Sequence, residues 1–278
     1  MYYIELILTT NCNQDCYYCN IFNEHKIVEV DLNYLDYVLI NLPDNCGVEI
    51  TGGEIGLISN IDEVILKILQ SNKIKHTTVL SNGLIKFKSD LWKECDEYWE
   101  HLIFDIDEKE IKKFYDLNLD ENHKYIIVTT EITTKSILNN WDHFNNLGLF
   151  KKNFFYKLMN GKTHTIKNYT KELFELYGKL KDKYCLDMLM HFSTNGKFMK
   201  KEKQLCMINT PNPFIDFETK QLGHCAIFHP DSQTVPFSSK NVKDLTDRVL
   251  FDNFKCCSKC YCFDNGKDRE TTNRSYQK

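Results

Sequence analysis

Apolar runs of strand length alternate with helix-length segments through the first two-thirds of the sequence, and this alternation restricts the available folds more than any other feature. Strands are expected over residues 2–8, 48–51, 76–81, 102–106, 125–130 and 154–159. Helices are expected over 32–42, 90–99, 108–115, 135–147 and 170–184. A further helix follows Ser59, read as an N-cap with Asp62 three residues on; behind it Ile61, Val64, Ile65, Ile68 and Leu69 recur at the spacing of one buried helical face. Six β–α units with predominantly apolar strands imply parallel strands covered by helices. That pattern leaves open a doubly wound sheet or an open barrel. After Phe192 the texture changes to turns and charged runs, and Pro211 and Pro213 interrupt any helix. Residues 214–218 and 222–228, joined at 219–221, read as one β-hairpin, and the tail from 264 onward is polar. The expected organisation is a core over 1–194 and a smaller domain over 195–278.

At 278 residues the chain can bury a substantial core without covalent staples. It has no apolar run of the roughly 20 residues that cross a bilayer, and its N-terminus shows no secretory pattern. A cytoplasmic protein with no membrane association is expected. The formal net charge of −4 argues against strong general attraction to nucleic acid. Twelve cysteines in such a chain point to metal ligation or redox chemistry rather than disulfides. Only three arginines occur, Arg248, Arg269 and Arg274, so nothing before them can grip carboxylate or phosphate with a guanidinium fork.

The first cysteine group, Cys12, Cys16 and Cys19, follows the first strand with C-x3-C-x2-C spacing. Three close-spaced thiolates suit an Fe–S cluster with one iron left without a protein thiolate; by spacing alone, an incomplete zinc loop or three unrelated thiols fit as well. Thr51-Gly52-Gly53-Glu54 ends the second strand, and Leu80-Ser81-Asn82-Gly83 ends the third. In combination and in this order, with aromatic Tyr18 preceding the last cysteine, the three elements resemble the radical S-adenosylmethionine (SAM) superfamily, its GGE motif and its Thr-Asn-Gly-type turn.

The resemblance implies a partial (βα)6 barrel. It also implies a [4Fe–4S] cluster on Cys12, Cys16 and Cys19 whose open iron is chelated by SAM. Glu54, beside Gly52 and Gly53, would receive the SAM amino group; the alternative is an exposed carboxylate at a helix start. The backbone of Tyr18 would meet the adenine, and Ser81 and Asn82 would lie near the ribose or methionine part. Asp105 either reaches the ribose or is a capping or solvated carboxylate. One-electron reduction would cleave SAM to a 5′-deoxyadenosyl radical that abstracts a substrate hydrogen, with flavodoxin or ferredoxin as electron donor.

The second cysteine group lies in the smaller domain: Cys206, Cys225, Cys257 and Cys260, with Cys256 and Cys262 as possible substitutes. Four thiolates including a C-x2-C pair suit structural zinc and an Fe–S cluster equally. The arrangement resembles the SPASM/twitch extension of radical SAM enzymes, in its shorter twitch form, which implies a second, auxiliary [4Fe–4S] cluster. His224, beside Cys225, is expected to support a ligand or lie at the surface. Cys46 and Cys95 read as buried structural thiols, the latter within a helix, and Cys185 is a weak hydrogen-donor candidate.

The SPASM/twitch resemblance implies modification of a residue in a ribosomally made peptide or protein by crosslinking, thioether formation, oxidation or epimerisation. The alternatives are a dehydrogenase of a small molecule such as an aminocyclitol or sugar, and a non-catalytic Fe–S or zinc scaffold. The first strand begins near residue 2, so recognition of a peptide would fall to a separate protein or to the barrel itself.

Overall fold

The computed structural model describes residues 3–14, 26–102, 123–129, 131–146, 154–158, 170–180, 213–223 and 234–246. It has an α/β fold in two compact units.

The first unit is built on β1 (Tyr3–Ile7), β2 (Cys46–Thr51) and β3 (Ile74–Ser81), which are parallel with β2 in the middle. The register sets Ile4 against Val48 and Leu6 against Ile50, and these four side chains are buried. Strands covered on both faces read as nearly continuous apolar runs, which is why they were legible in the sequence. Helix α1 (Leu32–Asn41) contributes Leu35, Val38 and Leu39 to the core, and α2 (Ile61–Leu69) contributes Val64, Ile65 and Ile68. Asp31 caps α1 by accepting from the backbone N–H groups of Asn33 and Tyr34.

The expected cap of α2 at Ser59 is one residue early: Asn60 occupies the N-cap position, yet its side chain does not cap the helix. Its Oδ1 accepts from Val30 N–H at 3.0 Å and its Nδ2 donates to the Val30 carbonyl at 2.9 Å. The buried amide thus pairs with both backbone polar groups of Val30, in the segment leading into α1, a partner that local spacing does not reveal.

The expected helix over 90–99 is absent. A single 3-10 turn, Leu91–Glu94, is followed by strand β4 (Glu97–Leu102), which starts earlier than the strand expected over 102–106. Asp96 accepts from Thr77 N–H at 2.7 Å, tying the chain to β3 where a helix would have continued. Tyr98 and Trp99 then favour extended backbone. Cys95 is buried as expected, but beside this turn rather than in a helix.

The unit is extended by β7 (Phe214–Asp216), β8 (Gln221–Gly223) and β9 (Thr234–Pro236). Strand β7 pairs parallel to β1, with Glu5 opposite Phe214 and Ile7 opposite Asp216, and β8 pairs antiparallel with both β7 and β9. The expected hairpin is therefore present, within 214–223, and it lies along β1. Strand β9 and the following helix α6 (Ser239–Thr246) were not anticipated. Phe217 and Phe237 pack edge-on against Tyr34 of α1 at ring separations of 5.2 and 6.2 Å. Phe237 also meets Tyr37 at 5.6 Å.

The second unit contains β4, β5 (His123–Thr129) and β6 (Phe154–Leu158), parallel in that order, with α3 (Glu131–Asn139), α4 (Trp141–Asn146) and α5 (Thr170–Leu180). Ile127, Ile137, Phe144, Leu176 and Leu180 are buried. The helix expected over 135–147 is two helices. The first begins at Glu131, earlier than expected, and includes the buried Thr133 and Thr134, whose modest helix propensity gives no local sign of it. It breaks at Asn140, whose Nδ2 donates to the Ser136 carbonyl at 2.9 Å. The helix expected over 108–115 and the proposed boundary near residue 194 lie outside the described residues.

Candidate active site

The carboxyl ends of β1, β2 and β3 lie side by side, the position at which parallel α/β sheets present functional groups. Beyond Ile7 the chain stays against the end of β2: Leu8 N–H donates to Thr51 O, Gly53 N–H to Thr9 O at 2.8 Å, and Glu54 N–H to Asn11 O at 2.8 Å. This contact requires the glycine pair. Gly52 has φ +154°, and a β-carbon there would lie 2.5 Å from the Thr9 carbonyl oxygen. A β-carbon at Gly53 would collide with the Asn11 carbonyl. The backbone that these glycines admit is that of the β1 exit loop, which carries Cys12.

Glu54 is 0% exposed and caps the 3-10 turn Ile55–Leu57, so the alternative of an exposed helix-start carboxylate holds for its position and fails for its exposure. Its Oε1 accepts from Gly56 N–H at 2.7 Å and from the Ser81 hydroxyl at 2.8 Å. Its Oε2 accepts from Asn82 N–H at 2.7 Å. A buried carboxylate needs such donors, and these come from its own turn and from the end of β3. Ser81 Oγ also accepts from Gly83 N–H at 3.0 Å, within a turn that Gly83 closes at φ +70°.

Asn82 links this corner to the cysteine loop. Its Nδ2 donates to Asn13 Oδ1 at 2.7 Å and lies 3.9 Å from Cys12 Sγ, while its Oδ1 accepts from Leu84 N–H. The Cys12 side is largely enclosed, with 9% of the residue exposed. Cys12, Gly52, Gly53, Glu54, Ser81 and Asn82, six residues from three distant segments, are thus brought together. The described part of this corner offers one enclosed thiol and one buried carboxylate, and among the described residues no three His, Cys, Asp or Glu side chains are grouped so as to hold a metal ion.

The structure also adds members that the sequence did not single out. Thr9 Oγ1 accepts from Asn11 N–H and Nδ2, each at 3.0 Å, which shapes the loop before Cys12. Glu218, in the β7–β8 turn, receives three hydrogen bonds from Thr9 and Thr10. A carboxylate in a hairpin turn carries no local signal of such a role, because its partners are more than 200 positions away.

Cys16, Tyr18, Cys19, Asp105, Cys185, Cys206, His224, Cys225, Cys256, Cys257, Cys260 and Cys262 lie outside the described residues. The remaining expected thiols, Cys46 and Cys95, are buried apart from this corner. Burial pushes their thiols up to about 11 and about 12, which keeps them protonated and suits a packing role.

No family model matches the chain, and no curated protein matches it. Among solved structures, Streptococcus suis SuiB bound to S-adenosylmethionine is similar over 94% of this chain and 71% of that one, with a TM-score of 0.58 and 14% identity. SuiB bound to the precursor peptide SuiA is similar over 94% and 72%, with a TM-score of 0.59 and 13% identity. The chain shares their fold. Among its described residues no helix is long and apolar enough to cross a membrane.

Proposed function

We propose that this chain is a radical SAM enzyme. The observation that carries the reading is the meeting of Cys12 with Asn82, and of Asn82 and Ser81 with Glu54, at one end of three adjacent parallel strands. Motifs that are separate in sequence and resemble those of one superfamily form a single corner in space. The fold shared with SuiB, whose structure was determined with SAM, supports the same reading.

The residues present fit the implied groups: an enclosed thiol for iron, a buried carboxylate for an amine, and small residues beside both. Cys12, with Cys16 and Cys19, would hold a [4Fe–4S] cluster, and Glu54 would receive the amino group of SAM. Reduced by a flavodoxin or ferredoxin, such a cluster with SAM supplies a 5′-deoxyadenosyl radical for hydrogen abstraction. Asn82 and Asn13 hold the cysteine loop against the β3 turn, while Ser81 and the Gly56 N–H keep the carboxylate in place. Tyr18 and Asp105 complete the proposed SAM contacts.

The substrate we favour is a residue of a ribosomally made peptide, a reading supported by the likeness to SuiB bound to a precursor peptide. Cys206, Cys225, Cys257 and Cys260 are assigned to an auxiliary [4Fe–4S] cluster in a twitch-like domain beginning near residue 195. Anaerobic reconstitution followed by dithionite and SAM is the decisive experiment. The enzyme is expected to form 5′-deoxyadenosine, and a chain that binds iron but never forms it would be a scaffold. Roughly eight irons per chain support two clusters, whereas roughly four irons with one zinc would replace the auxiliary cluster by a structural site.

A further inference from the structure

The β7–β8 turn brings one carboxylate onto the exit of β1. Glu218 Oε1 accepts from the Thr10 N–H at 2.7 Å and from the Thr9 hydroxyl at 3.1 Å, and Oε2 accepts from the Thr10 hydroxyl at 2.7 Å. The turn that presents it is itself held. Asp216 Oδ1 accepts from the N–H groups of Glu218 and Thr219, and Phe217 N–H donates to Ile7 O at 3.0 Å. The Lys220 ammonium in the same turn lies over the Tyr34 ring at 4.8 Å and 3.5 Å from Asp31.

The contact propagates along the loop. The Thr9 hydroxyl that donates to Glu218 accepts from both nitrogens of Asn11, and the Asn11 carbonyl receives the Glu54 N–H. Cys12 is the next residue. A charged acceptor pre-fixed by its own turn holds the loop at lower entropic cost than a mobile side chain would.

We infer that Glu218 is a positioning residue for Cys12: its carboxylate locks Thr9 and Thr10 so that the first thiol of the cysteine loop lies against Asn82 and the Glu54 corner. This deepens the radical SAM reading and rests on it for the purpose of the positioning. It also gives the hairpin a role beyond extending the sheet, because the hairpin becomes part of the support of the proposed cluster site.

The test compares the full-length chain with Glu218→Ala, Glu218→Gln and Lys220→Ala. In the cluster-free chain, Glu218→Ala is expected to speed amide exchange across residues 8–14 and alkylation of the Cys12 thiol about tenfold, the loss associated with hydrogen bonds to a charged group. Glu218→Gln keeps an oxygen acceptor and is expected to stay within about threefold of the parent. Lys220→Ala loosens hairpin docking on α1 and should leave both rates near the parent values. In the iron-loaded chain, Glu218→Ala should alter the electron paramagnetic resonance spectrum of the reduced cluster and its response to SAM, and Lys220→Ala should not.

Rates in Glu218→Ala no faster than in Lys220→Ala would overturn the inference, as would faster rates with an unchanged cluster spectrum. Should Glu218→Ala fail to fold, Thr10→Val removes one of the three contacts and carries the same comparison. A parent chain that takes up no cluster would sink the radical SAM reading, and the exchange and alkylation rates would then decide the positioning role alone.

Discussion

Two regions of the first unit fasten distant segments to one another by opposite physical means. At the carboxyl ends of β1–β3, the contacts are backbone groups, glycines and a buried carboxylate, all of which depend on direction and on tenths of an ångström. Where the hairpin segment meets α1, the contacts are the edges and faces of Tyr34, Tyr37, Phe217 and Phe237. Apolar contact is roughly proportional to area and tolerates reshaping. The polar corner should therefore fail sharply on small changes that the aromatic contact absorbs, and it is at the corner that the proposed chemistry resides.

The largest expected effect is that of a single methyl group. Gly53→Ala drives a β-carbon into the Asn11 carbonyl, which has a backbone and not a flexible side chain behind it. A loss of about 3 kcal/mol is expected in denaturant unfolding, together with loss of the parent's iron content. A loss below about 1 kcal/mol would mean that the β1 exit loop yields easily, and the contrast between the regions would fall.

An intermediate effect is expected on the aromatic side. Phe237→Leu removes more atoms than Gly53→Ala adds, yet should cost only about 1 kcal/mol and leave iron content unchanged. A larger loss there, with altered iron content, would show the two regions to be one cooperative device.

The smallest change is expected from Tyr34→Phe. The Tyr34 hydroxyl is buried without a hydrogen-bond partner among the described residues, so its removal should be neutral or stabilise by a few tenths of a kcal/mol near neutral pH. Burial, with Tyr37 next in effect, raises the ionisation of this phenol well above its ordinary 10.0. The contribution of a group with a raised folded-state pKa is complete below its unfolded value and is lost as pH rises above it. The parent should therefore lose stability relative to Tyr34→Phe only above about pH 10, read as a divergence of their unfolding midpoints. Parallel pH profiles would mean that the phenol is solvated.

How much of this was legible depended on the range of the interaction. The first three strands and α1 were read correctly to within a few residues, since their apolar periodicity is local and they are buried as it implies. The segment over 90–99 was misread because Asp96 bonds to Thr77, and the α2 cap because Asn60 turns to Val30. In each case a side chain found a partner 19 or 30 positions away. Helices α3 and α4 were read as one because Thr133 and Thr134 hid the start and Asn140 hid the break.

For the candidate site the sequence by itself determined the chemical types and their order: a thiol loop after one strand, a glycine-glycine-glutamate corner after the next, and a serine-asparagine-glycine turn after the third. Residue chemistry and spacing are properties of the chain and need no fold to be read. Only the tertiary structure decided what the groups do to one another. The glycines admit the β1 exit loop, Glu54 is buried under donors from two elements, and a hairpin carboxylate locks the approach to Cys12. Hydrogen bonds act over about 3 Å, so a partner some 200 positions away enters the site only when parallel pairing of β1 and β7 brings it there.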